Sequence, residues 1–212
     1  MTKQARSLLT RESILRSAGA VFSENGYSAT MLSDIVAAAG VTQGSLYFHF
    51  ASKHALASEV IVRQHASAIE VMESVPPGTP GLEAVVRLSV AIARQIVSDP
   101  IVRGGMRLST DSSREFPEVS SKPYQDWIDA CEHQLLRAVE DGDVAADRDI
   151  RTLGRFVMSS FTGVQVVSQA LDNWNDLIPR VADMWEIILP EMLVPSRRSQ
   201  APALLALVTP AD

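Results

Sequence analysis

The chain has 212 residues, 46% of them hydrophobic and 21% charged, a composition typical of a water-soluble globular protein with one large or two small domains. No apolar run reaches the roughly 18–20 residues that a membrane-spanning helix needs, and no signal peptide opens the chain. We therefore expect a cytoplasmic protein without a membrane partner. The single cysteine, Cys131, excludes an intrachain disulfide framework and a cysteine-rich metal site.

The net charge of −6 at first sight opposes binding to nucleic acid, but the charges are unevenly distributed. Residues 1–60 contain five Lys or Arg and four Asp or Glu side chains, whereas 14 basic and 21 acidic side chains lie beyond residue 60. The acidity therefore belongs to the C-terminal part. Any DNA affinity of the N-terminal part requires dimerisation and specific hydrogen bonds rather than a broad positive field.

The first predicted helix covers residues 4–25, where apolar side chains recur at helical spacing. Asn25 and Gly26 are expected to end it, with Tyr27 following in a loop.

Two short helices are predicted within Ser33–Phe50, joined by a tight turn. Gly40 can take the left-handed conformation that ends the first of them, and Val41 can pack beneath the turn. Thr42 can cap the second helix with its hydroxyl. Helix, glycine-containing turn and helix form the layout of a DNA-reading helix-turn-helix.

The second short helix carries the residues that we predict to contact DNA. Gln43 and Tyr47 lie four residues apart, hence on one side, with Gly44 beside them. Gln43 can pair with both N6 and N7 of adenine, and Gly44 allows the backbone to approach the duplex closely. Tyr47, Thr42 and Lys53 are predicted phosphate contacts. The alternative is that Thr42 only caps its helix and that Tyr47 is half-buried packing.

The remaining helices are predicted from apolar spacing and from the Pro, Gly and capping residues at their ends. A fourth helix is predicted at about 53–75, with Ser52 as N-cap, and a fifth helix is predicted to begin with Thr79 as its cap and Pro80 at its first position. A short sixth helix follows Pro100, and the others are predicted at about 121–141, 147–171 and 175–192. Residues 109–120 are predicted as a polar surface loop, and the tail from Pro195 is expected to fray at its end.

No strand alternation is found, so the predicted fold is all-α with nine to ten helices. We expect a helix-turn-helix DNA-binding domain over residues 1–52 and a larger ligand-binding and dimerisation domain over residues 53–212. The helix at 147–171 is apolar or small nearly all round, and the helix at 175–192 is also strongly apolar. Together they predict a homodimer with a four-helix interface.

The helix-turn-helix region resembles the TetR family of transcriptional repressors, and much of the chain resembles the γ-butyrolactone receptor branch of that family. The first resemblance is carried by Gly26-Tyr27, Thr30, Asp34-Ile35, Ala37-Ala38, Gly40-Val41, Gly44 and Leu46–Phe50; the second by Asp99–Arg103, Met106–Leu108, Tyr124, Trp127, Met184-Trp185 and Val194-Pro195. The resemblance implies a TetR-like architecture and a homodimeric repressor. It further implies binding to a palindromic operator, release by a small lactone-type signal and control of antibiotic production. Gln43 departs from these relatives, in which lysine is frequent.

The resemblance places a pocket tryptophan at Trp127, whose alternative is a core tryptophan. Gln64 lies on the apolar face of the fourth helix and Thr162 in the apolar eighth helix, so both are predicted to hydrogen-bond the ligand's oxygens. For Thr162 the alternative is a hydrogen bond to its own helix. Weaker candidates for the lining are Phe161, Val166 and Met106.

Three other functions remain open at this point. The chain could be a TetR-type repressor for another ligand, such as a drug or a fatty-acid derivative. It could be a small-molecule hydrolase on a helical scaffold, although neither G-x-S-x-G nor H-E-x-x-H occurs. It could also be a helical module for ligand or protein binding alone. We predict no catalytic residue, no cofactor and no metal site.

Overall fold

The computed structural model describes residues 3–111 and 114–208, without the side chains at 3, 118 and 120. These ranges contain ten α-helices and, besides one isolated bridge between Val144 and Leu193, no β-structure. The prediction of an all-α chain is confirmed. The helices are α1 Lys3–Ala29, α2 Leu32–Ala39, α3 Gln43–His49, α4 Lys53–Glu73, α5 Gly81–Ser98, α6 Pro100–Asp111, α7 Pro117–Glu140, α8 Ile150–Asp172, α9 Leu177–Met192 and α10 Ala201–Leu205, with a 3-10 helix at Pro195–Gln200.

The chain forms two compact units. The first unit comprises Met1–Ile69 with Ser98–Pro123, and the second comprises Glu70–Val97 with Tyr124–Asp212. A division into functional domains at residue 52 stays a prediction. Within the described ranges no helix is both long and apolar enough to cross a bilayer.

Helix α1 bends at Gly26, where φ is 71° and ψ is 179°. The predicted end at Asn25-Gly26 therefore marks a real break, but one further helical turn reaches Ala29. Tyr27 lies in this turn rather than in a loop. It packs partly against the core of the first unit, with its ring 6.2 Å from that of Phe22.

Helix α6 packs tightly inside the first unit because it carries two adjacent glycines. A Cβ atom on Gly104 would lie 2.7 Å from the Cα of Gly19 in α1, and one on Gly105 would lie 2.9 Å from the Cγ of Gln64 in α4. Real Cβ atoms essentially never approach other atoms so closely. The glycine pair thus lets α6 approach α1 with one side and α4 with another.

The predicted polar loop at 109–120 is largely wrong. Residues 109–111 end α6 and α7 begins at Pro117, while Ser112 and Ser113 lie outside the described residues. Phe116, which polar neighbours mask in the sequence, is fully buried. Its ring centroid lies 4.9 Å from that of Tyr27 and 4.8 Å from that of His54, so burial of one aromatic side chain fixes this connection.

The predicted cap of α5 is also wrong. The hydroxyl of Thr79 donates to the carbonyl of Pro76, so it does not cap the helix. The carboxylate of Asp141 instead accepts the N–H of Gly81 at 2.7 Å. The sequence places Asp141 sixty residues downstream, and only folding of the second unit brings it to this helix end.

The C-terminal tail is more ordered than its composition predicts. Val194 donates its N–H to the carbonyl of Asp143 at 2.8 Å, a short 3-10 helix and α10 follow, and Val208 is fully buried. The prediction of fraying concerns only the end of this tail. Residues 209–212, the end of the tail, lie outside the described part of the chain.

Candidate DNA-reading surface and ligand cavity

The turn between α2 and α3 has the geometry that its sequence predicts. Gly40 adopts φ 64° and ψ 32°, and its N–H reaches the carbonyls that end α2. Val41 packs partly against the core. The Thr42 hydroxyl accepts the N–H of Ser45 at 3.2 Å. The predicted left-handed helix end and N-cap are both confirmed, and together they fix the direction of α3.

Helix α3 is anchored by one face and exposes the other. Leu46 is fully buried, whereas Gln43 and Gly44 are exposed and Tyr47 is 49% exposed. A Cβ atom on Gly44 would meet, among the described atoms, only the Thr42 hydroxyl oxygen at 4.0 Å. Packing within the chain therefore gives no reason for a glycine at this position. The predicted reading face is available to an outside partner, and its contact with DNA stays a prediction.

Phe48 is a residue of this surface that the sequence reasoning missed. Its side chain is 79% exposed and makes an edge contact with the ring of His49 at 5.0 Å. The signal was its place directly after Tyr47, within a helix too short to bury both aromatic rings.

Lys53 makes internal contacts in this structure. Its ammonium group donates to the carbonyls of Tyr27 and Thr30, both at 2.7 Å, and lies 4.5 Å from the centre of the Tyr27 ring. It thereby ties the start of α4 to the end of α1. Only one of its three N–H bonds is left over for another acceptor, and a phosphate contact by Lys53 stays a prediction.

Two arginines of the first unit are paired with acidic side chains. Arg11 pairs with Glu59 at 2.8 Å, and Arg63 pairs with Glu12 at 3.3 Å. Because acidic partners offset the charge of these two arginines, neither offers a free positive charge to a phosphate.

A small apolar cavity lies in the second unit, between α5, α7 and α8. Its volume is about 30 Å³, which is room for about two water molecules. The residues that line it carry no charge: Val85, Leu88 and Ser89 from α5, Trp127 and Cys131 from α7, and Val157, Met158 and Phe161 from α8. The predicted candidates Trp127 and Phe161 are thus brought together at one cavity.

Few polar groups face this cavity. The Ser89 hydroxyl donates to the carbonyl of Val86 at 2.7 Å and accepts the indole N–H of Trp185 at 2.8 Å, so its hydrogen-bonding capacity is largely used. Burial, and the nearby charge of Glu132, raise the pKa of Cys131 to about 12. Its thiol is therefore neutral at physiological pH and acts as a small apolar side chain.

The other predicted ligand residues do not line the cavity. Gln64 and Met106 belong to the first unit, where Gln64 is buried against Gly105. Thr162 is half-buried and Val166 is exposed on α8. Their contacts with a ligand stay predictions. The α5 residues of the cavity were missed, although Val85, Leu88 and Ser89 follow the i, i+3, i+4 spacing of one helical face.

Helices α8 and α9 expose large apolar side chains. Leu171 is 70% and Ile187 is 75% exposed, and Phe156 and Val167 are also exposed. Phe156, Gly163, Val167 and Leu171 follow one another at seven-, four- and four-residue intervals, so they share one face of α8. A Cβ atom on Gly163 would meet no described atom within 4 Å. This apolar face with a glycine in its middle suits the close approach of another helix.

Comparison with known proteins covers both parts of the chain. Residues 14–60 match the bacterial regulatory proteins of the tetR family, and residues 79–195 match the tetracyclin repressor-like C-terminal domain. The A-factor receptor protein of Streptomyces griseus is 36% identical over 195 residues, which span 92% of this chain and 68% of that protein.

Two solved structures are similar over nearly the whole length. A γ-butyrolactone receptor described as an ArpA-like protein has 34% identity and a TM-score of 0.84, covering 96% of this chain and 98% of its own. The TetR family protein CprB from Streptomyces coelicolor, in complex with its biological operator sequence, has 34% identity and a TM-score of 0.82, covering 95% and 96%.

Proposed function

The chain belongs to the TetR family of bacterial regulatory proteins, and on this basis we propose that it is a homodimeric repressor released from a palindromic operator by a γ-butyrolactone-type signal. The observation that carries the proposal is an anchored helix-turn-helix whose reading face is exposed and unused by the chain itself. In this role the protein acts in the cytoplasm as a regulator, not as an enzyme. Its targets are genes of antibiotic or other secondary metabolism, as the resemblance to the γ-butyrolactone receptor branch implies.

DNA recognition depends on Gln43 as the base-reading residue. Its exposed amide can donate to N7 and accept from N6 of adenine, and such a bidentate pair contributes about 1–3 kcal/mol of discrimination. Thr42 and Tyr47 would position the helix through phosphate contacts, and Gly44 would let the backbone approach the duplex. Because the protein surface here is weakly charged, two copies of α3 on two half-sites are needed for useful affinity.

Dimerisation through α8 and α9 is supported by their exposed apolar side chains. In one copy, residues such as Leu171 and Ile187 are mostly in contact with water. Pairing two copies about a two-fold axis would bury both faces in a four-helix arrangement. Gly163 would sit in the middle of this interface, where the missing side chain lets the partner helix approach.

Ligand binding requires the cavity to enlarge. A lactone ring with an alkyl chain is many times larger than the two water molecules for which the cavity has room. The walls of α5, α7 and α8 therefore have to move apart on binding. A ligand that binds this expanded state more tightly lowers the affinity of the protein for DNA. By linkage, bound DNA lowers the affinity for the ligand by the same factor.

The proposal is tested by footprinting the purified protein on the DNA upstream of its own gene, with and without a synthetic γ-butyrolactone that carries an alkyl chain. We expect a two-fold symmetric protected site that disappears when the lactone is added. Gln43→Ala should lose discrimination between this site and a scrambled duplex. Gln125→Ala, the same change at an exposed position of α7, is the matched control. Equal protection of both duplexes by the unchanged protein would refute the proposal.

A further inference from the structure

Gln165 in α8 carries a buried side-chain amide with an unpaired N–H group. Its side chain is 4% exposed, and its Nε2 atom has no hydrogen-bond partner among the described residues. Buried amide groups in proteins are nearly always paired, because an unmet N–H has lost its water without replacement. A residue kept in this state points to a partner that comes from outside the chain.

The position of Gln165 relates it to the cavity. Val157 and Phe161 line the cavity, and Gln165 follows Phe161 by four residues on the same face of α8. Side chains in an α-helix lean toward its N-terminus, so the amide of Gln165 covers the turn that holds Phe161. Helical spacing thus places Gln165 one turn beyond Phe161, behind the residues that line the cavity in this structure.

The chemistry of the cavity limits what this group can bind. None of the lining residues is charged, so a carboxylate would enter without a counter-charge, at a high desolvation cost. The hydroxyl of Ser89 is already engaged, and the thiol of Cys131 is a weak donor. An uncharged carbonyl oxygen at the head of an apolar chain could accept a hydrogen bond from the unpaired N–H group of Gln165.

We infer that Gln165 is a specificity-determining residue that donates a hydrogen bond to the carbonyl oxygen of an uncharged lactone or ester bound in this cavity. The inference rests on the proposed function, because it assigns the ligand class to the same site. In this arrangement the oxygenated head of the ligand faces Gln165, and its apolar chain faces Val85, Leu88 and Trp127.

The test compares two compounds of equal carbon number, γ-dodecalactone and 2-octyltetrahydrofuran, which lacks the carbonyl group. Binding to the full chain is measured by calorimetry for the unchanged protein and for Gln165→Leu and Gln165→Met. Gln169→Leu, one turn further along α8, is the control. We expect the unchanged protein and the control to prefer the lactone about tenfold, and both Gln165 variants to lose this preference while binding the ether as before.

The melting temperature without ligand gives a second, independent readout. If the Nε2 group is unpaired in the free protein, Gln165→Leu should melt at the same temperature or a few degrees higher. A lower melting temperature for both Gln165 variants, with equal loss of lactone and ether binding, would show a structural role and overturn the inference. So would a lactone preference that persists in Gln165→Leu.

The experiment separates this inference from the proposed function. Lactone discrimination that depends on Gln165, in a protein that stays on its operator when the lactone is added, would uphold the inference and refute the effector role. If the unchanged protein binds neither compound, both the inference and the effector role of a lactone are overturned. Sequence-specific DNA binding is tested separately, by the footprint.

Discussion

Replacing Gly44 by alanine should separate the stability of the protein from its DNA binding. Among the described atoms, the added Cβ would meet only the Thr42 hydroxyl oxygen, at an ordinary 4.0 Å. Alanine also favours a helix over glycine by about 0.5–1 kcal/mol. The variant should therefore be at least as stable as the unchanged protein. A shift of about 2–4 °C in melting temperature per kcal/mol makes even a small gain measurable.

The same methyl group points away from the packed face of α3, toward the surface that we propose for DNA. If the backbone at Gly44 approaches the duplex closely, the methyl group has to be accommodated there, at a cost of about 1–3 kcal/mol for each recognition helix. For the two recognition helices of a dimer the costs add to about 2–6 kcal/mol, which corresponds to a roughly 30- to 20,000-fold loss of operator affinity. The measurement is fluorescence anisotropy on the footprinted operator, beside thermal unfolding of the same samples. Unchanged operator affinity, or a clearly lower melting temperature, would refute the reasoning.

Two further predictions concern packing and pH. Gly104→Ala should lower the free energy of unfolding by about 1–3 kcal/mol. The new Cβ would lie 2.7 Å from the Cα of Gly19, a backbone atom that cannot rotate away as a side chain could. Urea unfolding beside Gly44→Ala tests this, and equal midpoints would contradict it. The hydrogen bond from the Ser168 hydroxyl, followed by that from Arg180, lowers the pKa of Asp176. This carboxylate therefore contributes stability that is complete above the ordinary aspartate pKa of about 3.9 and is lost as the pH falls through its lowered folded pKa. Asp176→Asn should destabilise the protein at pH 7, and the difference should shrink as the pH is lowered below about 3.9. A pH-independent difference in urea midpoint would contradict this assignment.

The helix-turn-helix could be read from the sequence because its determinants are local. The left-handed turn at Gly40, the cap at Thr42 and the buried Leu46 all act within eighteen residues, so no distant partner competes for them. For the same reason, most predicted ends of the long helices lie within a few residues of the observed ends.

The errors arose where a distant group supplies the partner. Asp141, rather than Thr79, caps α5. Phe116 was hidden in a polar stretch, because its burial depends on rings that come from two other helices. A side chain forms its hydrogen bond or ring contact with a group that the fold brings close to it. The spacing of residues along the chain does not show which group that is.

The all-α fold, the helix-turn-helix and two residues of the cavity, Trp127 and Phe161, could be predicted from the sequence. The third wall of the cavity, which α5 forms, and the burial of the unpaired Gln165 amide depend instead on how the helices pack. The reason is physical. A helical period shows which residues share a face, but the close packing of three helices determines which faces meet and how little space they leave.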